Sequence, residues 1–279
     1  MNGGSWGLWR AQIAAILRLE IKKNFLSRRG LWVYLLAFGP AALFAAHAFS
    51  MLRHGRACDL ARDNLIYATI FQFFYLRLAI FFGCVGVFMN LFRGEMINKS
   101  LHYYLLAPVR REVLLVGKYL AGVITTSVIF CTGTALSLAF LLLHFHPSVV
   151  EQYLYGAGGT GHIIAYLATT ALACVGYGGV FLVMSFLFRN PIIPAGLVLV
   201  WESMNPFLPA ALKKISVIFY LQSLSPVQAP VSGDWAFLAI LANPTPAYLA
   251  IPGLLLVTLA GLLLATRQVR KLEINYGAE

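Results

Sequence analysis

The feature that most constrains this chain is a succession of long apolar runs, each close to the length a helix needs to cross a bilayer. About 30 Å of hydrocarbon at ~1.5 Å per residue calls for about 20 mainly apolar residues. Inside lipid every backbone N–H and C=O must find its partner within the protein, and a helix supplies those partners from its own turns. Six segments answer the description: residues 31–49, 65–92, 113–143, 162–188, 192–208 and 246–265. The second and third are long enough to tilt or project beyond the bilayer, whereas the fifth is short and opens between Pro191 and Pro194. With 60% hydrophobic and 11% charged residues, the chain falls far short of the charged share of a soluble domain, about a quarter. The expected fold is all-α, a polytopic membrane protein with six transmembrane helices, forming a single transmembrane domain over residues 1–279.

A formal charge of +11 raises the question of nucleic acid, but the Lys and Arg residues lie between the apolar runs and do not gather into one face with interleaved aromatics. Their distribution reports topology. Fifteen of the 21 fall on the side that holds the amino terminus, the 93–118 connection, Arg189 and the tail; five fall on the other, and Arg77 lies within the second run. By the positive-inside rule both termini are expected in the cytoplasm of a cell membrane. Residues 9–25 place Trp9, Ile13, Ile16, Leu17, Ile21 and Phe25 at helical spacing, with Arg10, Gln12, Arg18, Lys22 and Lys23 on other faces. That pattern predicts an amphipathic helix within residues 1–30 lying in the membrane surface. The basic residues interrupt any short uninterrupted apolar core, so no cleavable signal peptide is expected. Cys58, Cys84, Cys131 and Cys174 form no CxxC pair and imply neither a disulfide framework nor a zinc site.

Two ionisable residues stand out because a charge within a membrane segment is costly and therefore a functional candidate. Arg77 could face a substrate path, pair with Glu202 or Asp63, or extend toward a rim; Glu202 reads equally as a hydrogen-bonded interfacial carboxylate. His144, His146 and, beyond a Gly-rich turn, His162 fall on the outer side, and suggest either a weak cluster for a borderline metal or plain interfacial histidines. Residues 202–245 carry Pro206, Pro209, Pro226, Pro230 and Pro244. They predict short helices that re-enter or lie on the outer leaflet before the last span. Gly83, Gly86, Gly176, Gly178 and Gly179 suit close helix packing.

The most informative stretch is the connection between the second and third runs, RGEMINKSLHYYLLAPVRREVLLVGKYLAG, residues 93–122. Met96, Ile97, Leu101, Tyr104 and Leu105 fall at helical spacing, with Glu95, Asn98, Lys99 and His102 directed elsewhere, and Pro108 ends the helix. Such a short amphipathic helix across the base of two long spans could take force from a rigid partner. Leu101, Tyr104 and Leu105 would then serve as apolar knobs, and Glu95 and Lys99 as rim charges. Periodicity alone favours a turn helix that merely anchors the loop to lipid.

These residues resemble the permease subunits of type-2 ABC transporters. The order is Glu95, the pair Lys99 and Ser100, the Leu-rich stretch Leu101, Leu105 and Leu106, then Pro108 with Arg110, and Gly117 with Lys118 opening the next span; Lys99 stands where that family usually has Gly. The likeness is strong over these thirty residues and extends as a plan over nearly all of the chain. It implies a coupling helix within residues 93–112 whose Glu95, Lys99, Ser100, Leu101, Tyr104, Leu105, Pro108, Arg110 and Arg111 meet an ATPase. It also implies an amino-terminal connecting helix, and a dimer of this subunit, or of this subunit and a paralogue, on two nucleotide-binding subunits.

The chain itself has no GxxxxGK[ST] loop, since Tyr119 follows Gly117 and Lys118 and the upstream Gly is missing. ATP and Mg²⁺ are therefore expected on a separate partner chain, and this chain is expected to be a transport subunit and not an enzyme. No nucleophile-and-base arrangement recommends an intramembrane hydrolase. The rival reading is a secondary transporter or channel independent of ATP, which would show inverted repeats with broken helices.

Overall fold

The structure, a computed structural model, describes residues 4–26, 30–54, 59–97, 104, 106, 109–188, 190, 192–228 and 245–271. Every regular element among them is helical. Helix α1 covers Gly4–Leu26 and α2 Leu31–His54. Helix α3 is one long rod made of Leu60–Ile70, a π-helical stretch Phe71–Ala79 and Ile80–Ile97. Helix α4 covers Arg111–Leu142, and α5, Pro147–Glu151, continues into a short π turn. Then come α6 (Gly159–Leu187), α7 (Ile192–Ser203), α8 (Ala210–Lys213), α9 (Val217–Leu224) and α10 (Ala247–Arg270).

Five of these helices, α2, α3, α4, α6 and α10, are long and apolar enough to cross a membrane. The centre of the bundle is α3, α4 and α6, with α2 and α10 on the flanks and more exposed. Large apolar side chains such as Leu35, Leu43, Ile164 and Leu256 point outward, the arrangement a hydrocarbon solvent permits and water would penalise. Aromatic rings fill the interior in edge-to-face pairs, which suit their quadrupoles. Tyr166 meets Phe71 at 4.7 Å between centroids, and Phe81 meets Phe181 at 5.0 Å. Glycines let the helices close up: a Cβ on Gly86 would strike the Trp32 ring, and one on Gly178 the Phe88 ring.

Several hydroxyls inside the bundle donate to backbone carbonyls. Tyr75, in the π-helical stretch, donates to the carbonyls of Phe130 at 2.7 Å and Ala37 at 3.2 Å, so a single hydroxyl ties α2, α3 and α4 together. Thr126, Thr134, Ser137, Thr170 and Thr258 donate to carbonyls one turn earlier in their own helices, the usual way a small hydroxyl is carried through an apolar region.

The segment expected as a fifth span, 192–208, is not one helix. Helix α7 has 12 residues, about 18 Å at ~1.5 Å per residue, too short for ~30 Å of hydrocarbon. It stops at Ser203, where a 3-10 turn over Asn205–Phe207 and the brief α8 interrupt it. Helix α9 resumes with eight residues. Gly176 faces Leu254 and Gly179 faces Thr258, so α6 and α10 run in the same direction. The chain between them must therefore return to the end at which α6 began.

Candidate functional site

The candidate site lies at the end of the bundle where α1, the foot of α3 and the head of α4 meet. Ile16 and Glu20, four residues apart, share one face of α1. Ile16 rests on Gly117, where an added Cβ would come within 2.9 Å of it. That close approach brings Glu20 to the next residue of α4, Lys118.

Lys118 is wholly buried; its ammonium donates to Glu20 Oε1 and to the Leu91 carbonyl and is ion-paired with Glu95. Glu20 Oε1 lies 2.6 Å away, Glu95 Oε2 2.8 Å, and the Leu91 carbonyl 3.0 Å. Lys23 Nζ closes the other side, 2.8 Å from Glu95 Oε1 and 3.9 Å from Glu20 Oε2. The Tyr104 hydroxyl donates to Glu20 Oε1 at 3.1 Å, and its ring, with that of Phe92, lies against the Lys118 ammonium, at 4.7 and 5.4 Å to the centroids. Burial, with the Glu20 and Glu95 carboxylates beside it, pushes the Tyr104 phenol well above its ordinary pKa, which keeps it a donor. Two carboxylates and two ammoniums balance, so the cluster avoids the several kcal/mol per ion that an uncompensated buried charge costs.

Glu95 therefore does not stand on a solvated rim, as the periodicity of its segment suggests. Its carboxylate is turned inward, where Lys118 and Lys23 both pair with it. Glu20, the residue that joins α1 to the cluster, was not singled out by the sequence pattern at all. Arg110 and Arg111 also serve this chain: the Arg110 guanidinium lies 5.0 Å from the Trp9 ring centroid, and Arg111 donates to the carbonyls of Arg270 at 2.7 Å and Val269 at 3.4 Å. Those are carbonyls of the last residues of α10. Arg270 in turn reaches Glu112 at 2.7 Å. An open groove lined by Trp6, Trp9, Ile13, Val113 and Arg270 runs beside this corner. Leu106 is 79% exposed. Lys99, Ser100, Leu101, Leu105 and Pro108 lie outside the described residues.

The two intramembrane candidates sit elsewhere. Glu202, at the end of α7, accepts from the Ser216 hydroxyl at 2.7 Å and from the Val217 and Ile218 amides at 3.0 and 2.8 Å. It is the cap of α9. Arg77, in the π-helical part of α3, interacts electrostatically with Glu202 and lies 5.8 Å from the Phe73 ring centroid. His144, His146 and His162 do not come together. His146 caps α5 through Ser148, and His162 approaches Tyr153 at 3.4 Å. His144 turns to Asp63 and His47 instead.

A lysine held between two carboxylates is a joint between the three helices that supply them. It makes α1, the end of α3 and the start of α4 move as one piece. No protein-family model matches the chain, and neither does any curated protein.

Proposed function

We propose that this chain is the membrane subunit of an ATP-driven exporter of the type-2 ABC class, spanning the cell membrane with both termini in the cytoplasm. The observation that carries this reading is the Lys118 cluster. A push on residues 98–108 from a cytoplasmic partner would be delivered at once to α1, α3 and α4, because Glu20, Glu95, Tyr104 and Lys118 leave no slack between them. ATP and Mg²⁺ reside on that partner, a separate ATPase subunit. Two copies of the chain, or one copy and a paralogue, line the exit path at their interface. The exposed Leu106 and the groove beside Trp6 and Trp9 are the apolar surfaces the ATPase covers.

In this reading α7 and α9 together make the fifth of six crossings, about 18 Å and about 12 Å long at ~1.5 Å per residue. Their summed length of about 30 Å is close to the hydrocarbon thickness, and the shared direction of α6 and α10 supports such a return. The same break is the one observation that favours a secondary transporter, where half-helix termini hold substrate at mid-membrane. Here the amides at the start of α9 are already taken by Glu202, which favours a structural joint.

The test is co-purification of the chain with candidate ATPase subunits and transport-linked ATP hydrolysis in proteoliposomes. Leu101→Asp and Leu106→Asp are expected to reduce both association and coupled hydrolysis. Tyr104 is less suitable as a probe because it also holds Glu20. Transport that persists on a proton or sodium gradient without ATP would overturn the reading, as would labelling of residues 98–108 from the external medium.

A further inference from the structure

At the opposite end of the bundle three side chains far apart in sequence converge. His47 comes from the late turns of α2, Asp63 from the first turn of α3 and His144 from the exit of α4. One donor atom from each lies within 4.8 Å of the others. Both imidazoles address the same carboxylate oxygen: His144 Nε2 is 3.2 Å from Asp63 Oδ2 and His47 Nε2 is 3.7 Å from it. The two rings meet edge to face, 5.4 Å between centroids and 85° between planes.

The geometry points to a divalent transition-metal site of the zinc type, formed by His47, Asp63 and His144. In a tetrahedral zinc site with bonds of ~2.0–2.1 Å, neighbouring donors stand about 3.3 Å apart. The two His–Asp distances, 3.2 and 3.7 Å, bracket that spacing, so an ion would be met by a movement of a few tenths of an ångström in the part-exposed His47. Two neutral imidazoles and one carboxylate suit zinc, copper(II) or nickel(II) and would not suit the oxygen-seeking Mg²⁺ or Ca²⁺. Three protein ligands leave at least one position for water.

The donors are held in advance of any ion. Asp59 caps α3 by accepting from the Ala61 amide at 3.0 Å, and the Asp63 amide donates to the Asp59 carbonyl at 3.0 Å, so the carboxylate is fixed in the first turn. The His144 ring is 1% exposed and packs 4.2 Å from the Phe145 ring centroid. Its Nδ1 is buried without a hydrogen-bond partner among the described residues, so no competing contact dictates which nitrogen it turns to the carboxylate. His47 is 37% exposed and gives an ion its way in. A bound ion would staple the ends of α2, α3 and α4, at the far side of the bundle from Lys118.

The site is tested on the full chain in detergent, after removal of any affinity-tag histidines. Zn²⁺ is titrated calorimetrically, and Co²⁺ is added as a spectroscopic probe. A single tight ion per chain is expected, with visible cobalt bands of a low-coordinate nitrogen and oxygen set and no thiolate charge-transfer band. His47→Gln, at a part-exposed position that folding tolerates, should weaken binding by more than the ~10- to 100-fold that loss of a mere supporting partner costs. Asp63→Asn, nearly isosteric, should do the same, while His146→Gln and His162→Gln leave affinity unchanged. Wild-type affinity in folded His47→Gln overturns the assignment. So does a thiolate band, which would place the ion on cysteines.

Discussion

Replacing Lys118 by Met tests the joint most directly. The thioether side chain fills much of the lysine volume between Phe92 and Tyr104, so packing is largely kept and the change is electrostatic. Glu20 loses its 2.6 Å partner and Glu95 its 2.8 Å partner. Among the ion pairs of the described residues, that leaves Lys23, half exposed, beside the two buried carboxylates. Breaking a buried ion pair by removing one member costs about 3–5 kcal/mol, a shift of roughly a hundred- to several-thousand-fold in the folding equilibrium at ~1.4 kcal/mol per decade. Part of the loss would be recovered by Lys118→Met combined with Glu20→Gln and Glu95→Gln, since a neutral network carries no stranded charge. The assay is reversible unfolding in mixed micelles, followed by helix circular dichroism and by the fluorescence of Trp6 and Trp9, which sit on the helix the cluster anchors. A loss below ~1 kcal/mol for the single variant, or a triple variant no better than the single one, would refute the reasoning.

Other substitutions probe the remaining joints. Glu202→Ala strips three hydrogen bonds from the start of α9 and leaves buried amides unmet. A loss of about 1–3 kcal/mol is expected, with faster hydrogen exchange at Val217 and Ile218; unchanged exchange would remove Glu202 from its capping role. Gly133→Ala would gain ~1 kcal/mol in helix propensity, yet its Cβ overlaps the Ala37 carbonyl and the Tyr75 hydroxyl, so a net loss of ~1–3 kcal/mol in thermal stability follows from overpacking. Gly196→Ala, inside α7 with nothing within 4 Å of the added carbon, should instead hold or raise stability by up to ~1 kcal/mol; equal effects at the two positions would discount the packing account.

The long helices were legible because lipid imposes one length and one polarity on whatever crosses it. Residues 31–49, 113–143 and 162–188 correspond to α2, α4 and α6, with ends displaced by a few residues. The fifth run misled because hydropathy ignores a break. Residues 192–208 stay apolar through the point where α7 ends, and the return to helix at Val217 depends on Glu202 reaching forward fourteen residues to the Ser216 hydroxyl. The site was half legible. Glu95 and Lys118 stood out through their order in the 93–122 stretch, but Glu20 looked like one more polar residue among Arg18, Lys22 and Lys23, and its partner lies 98 positions away. His144 was noticed for the wrong companions. Nearness in sequence suggested His146, whereas its carboxylate is 81 residues earlier.

The Lys118 cluster also sets a timetable for biogenesis. The chain emerges with Glu20 and Lys23 first, Glu95 much later and Lys118 last, so the buried cation is the last of these four charges to leave the ribosome. Until α4 is threaded into the bilayer, both acids must stay wet or be shielded by a helper, and α1 has no reason to dock. Settling of the amino-terminal helix is consequently a report that the third long segment has arrived.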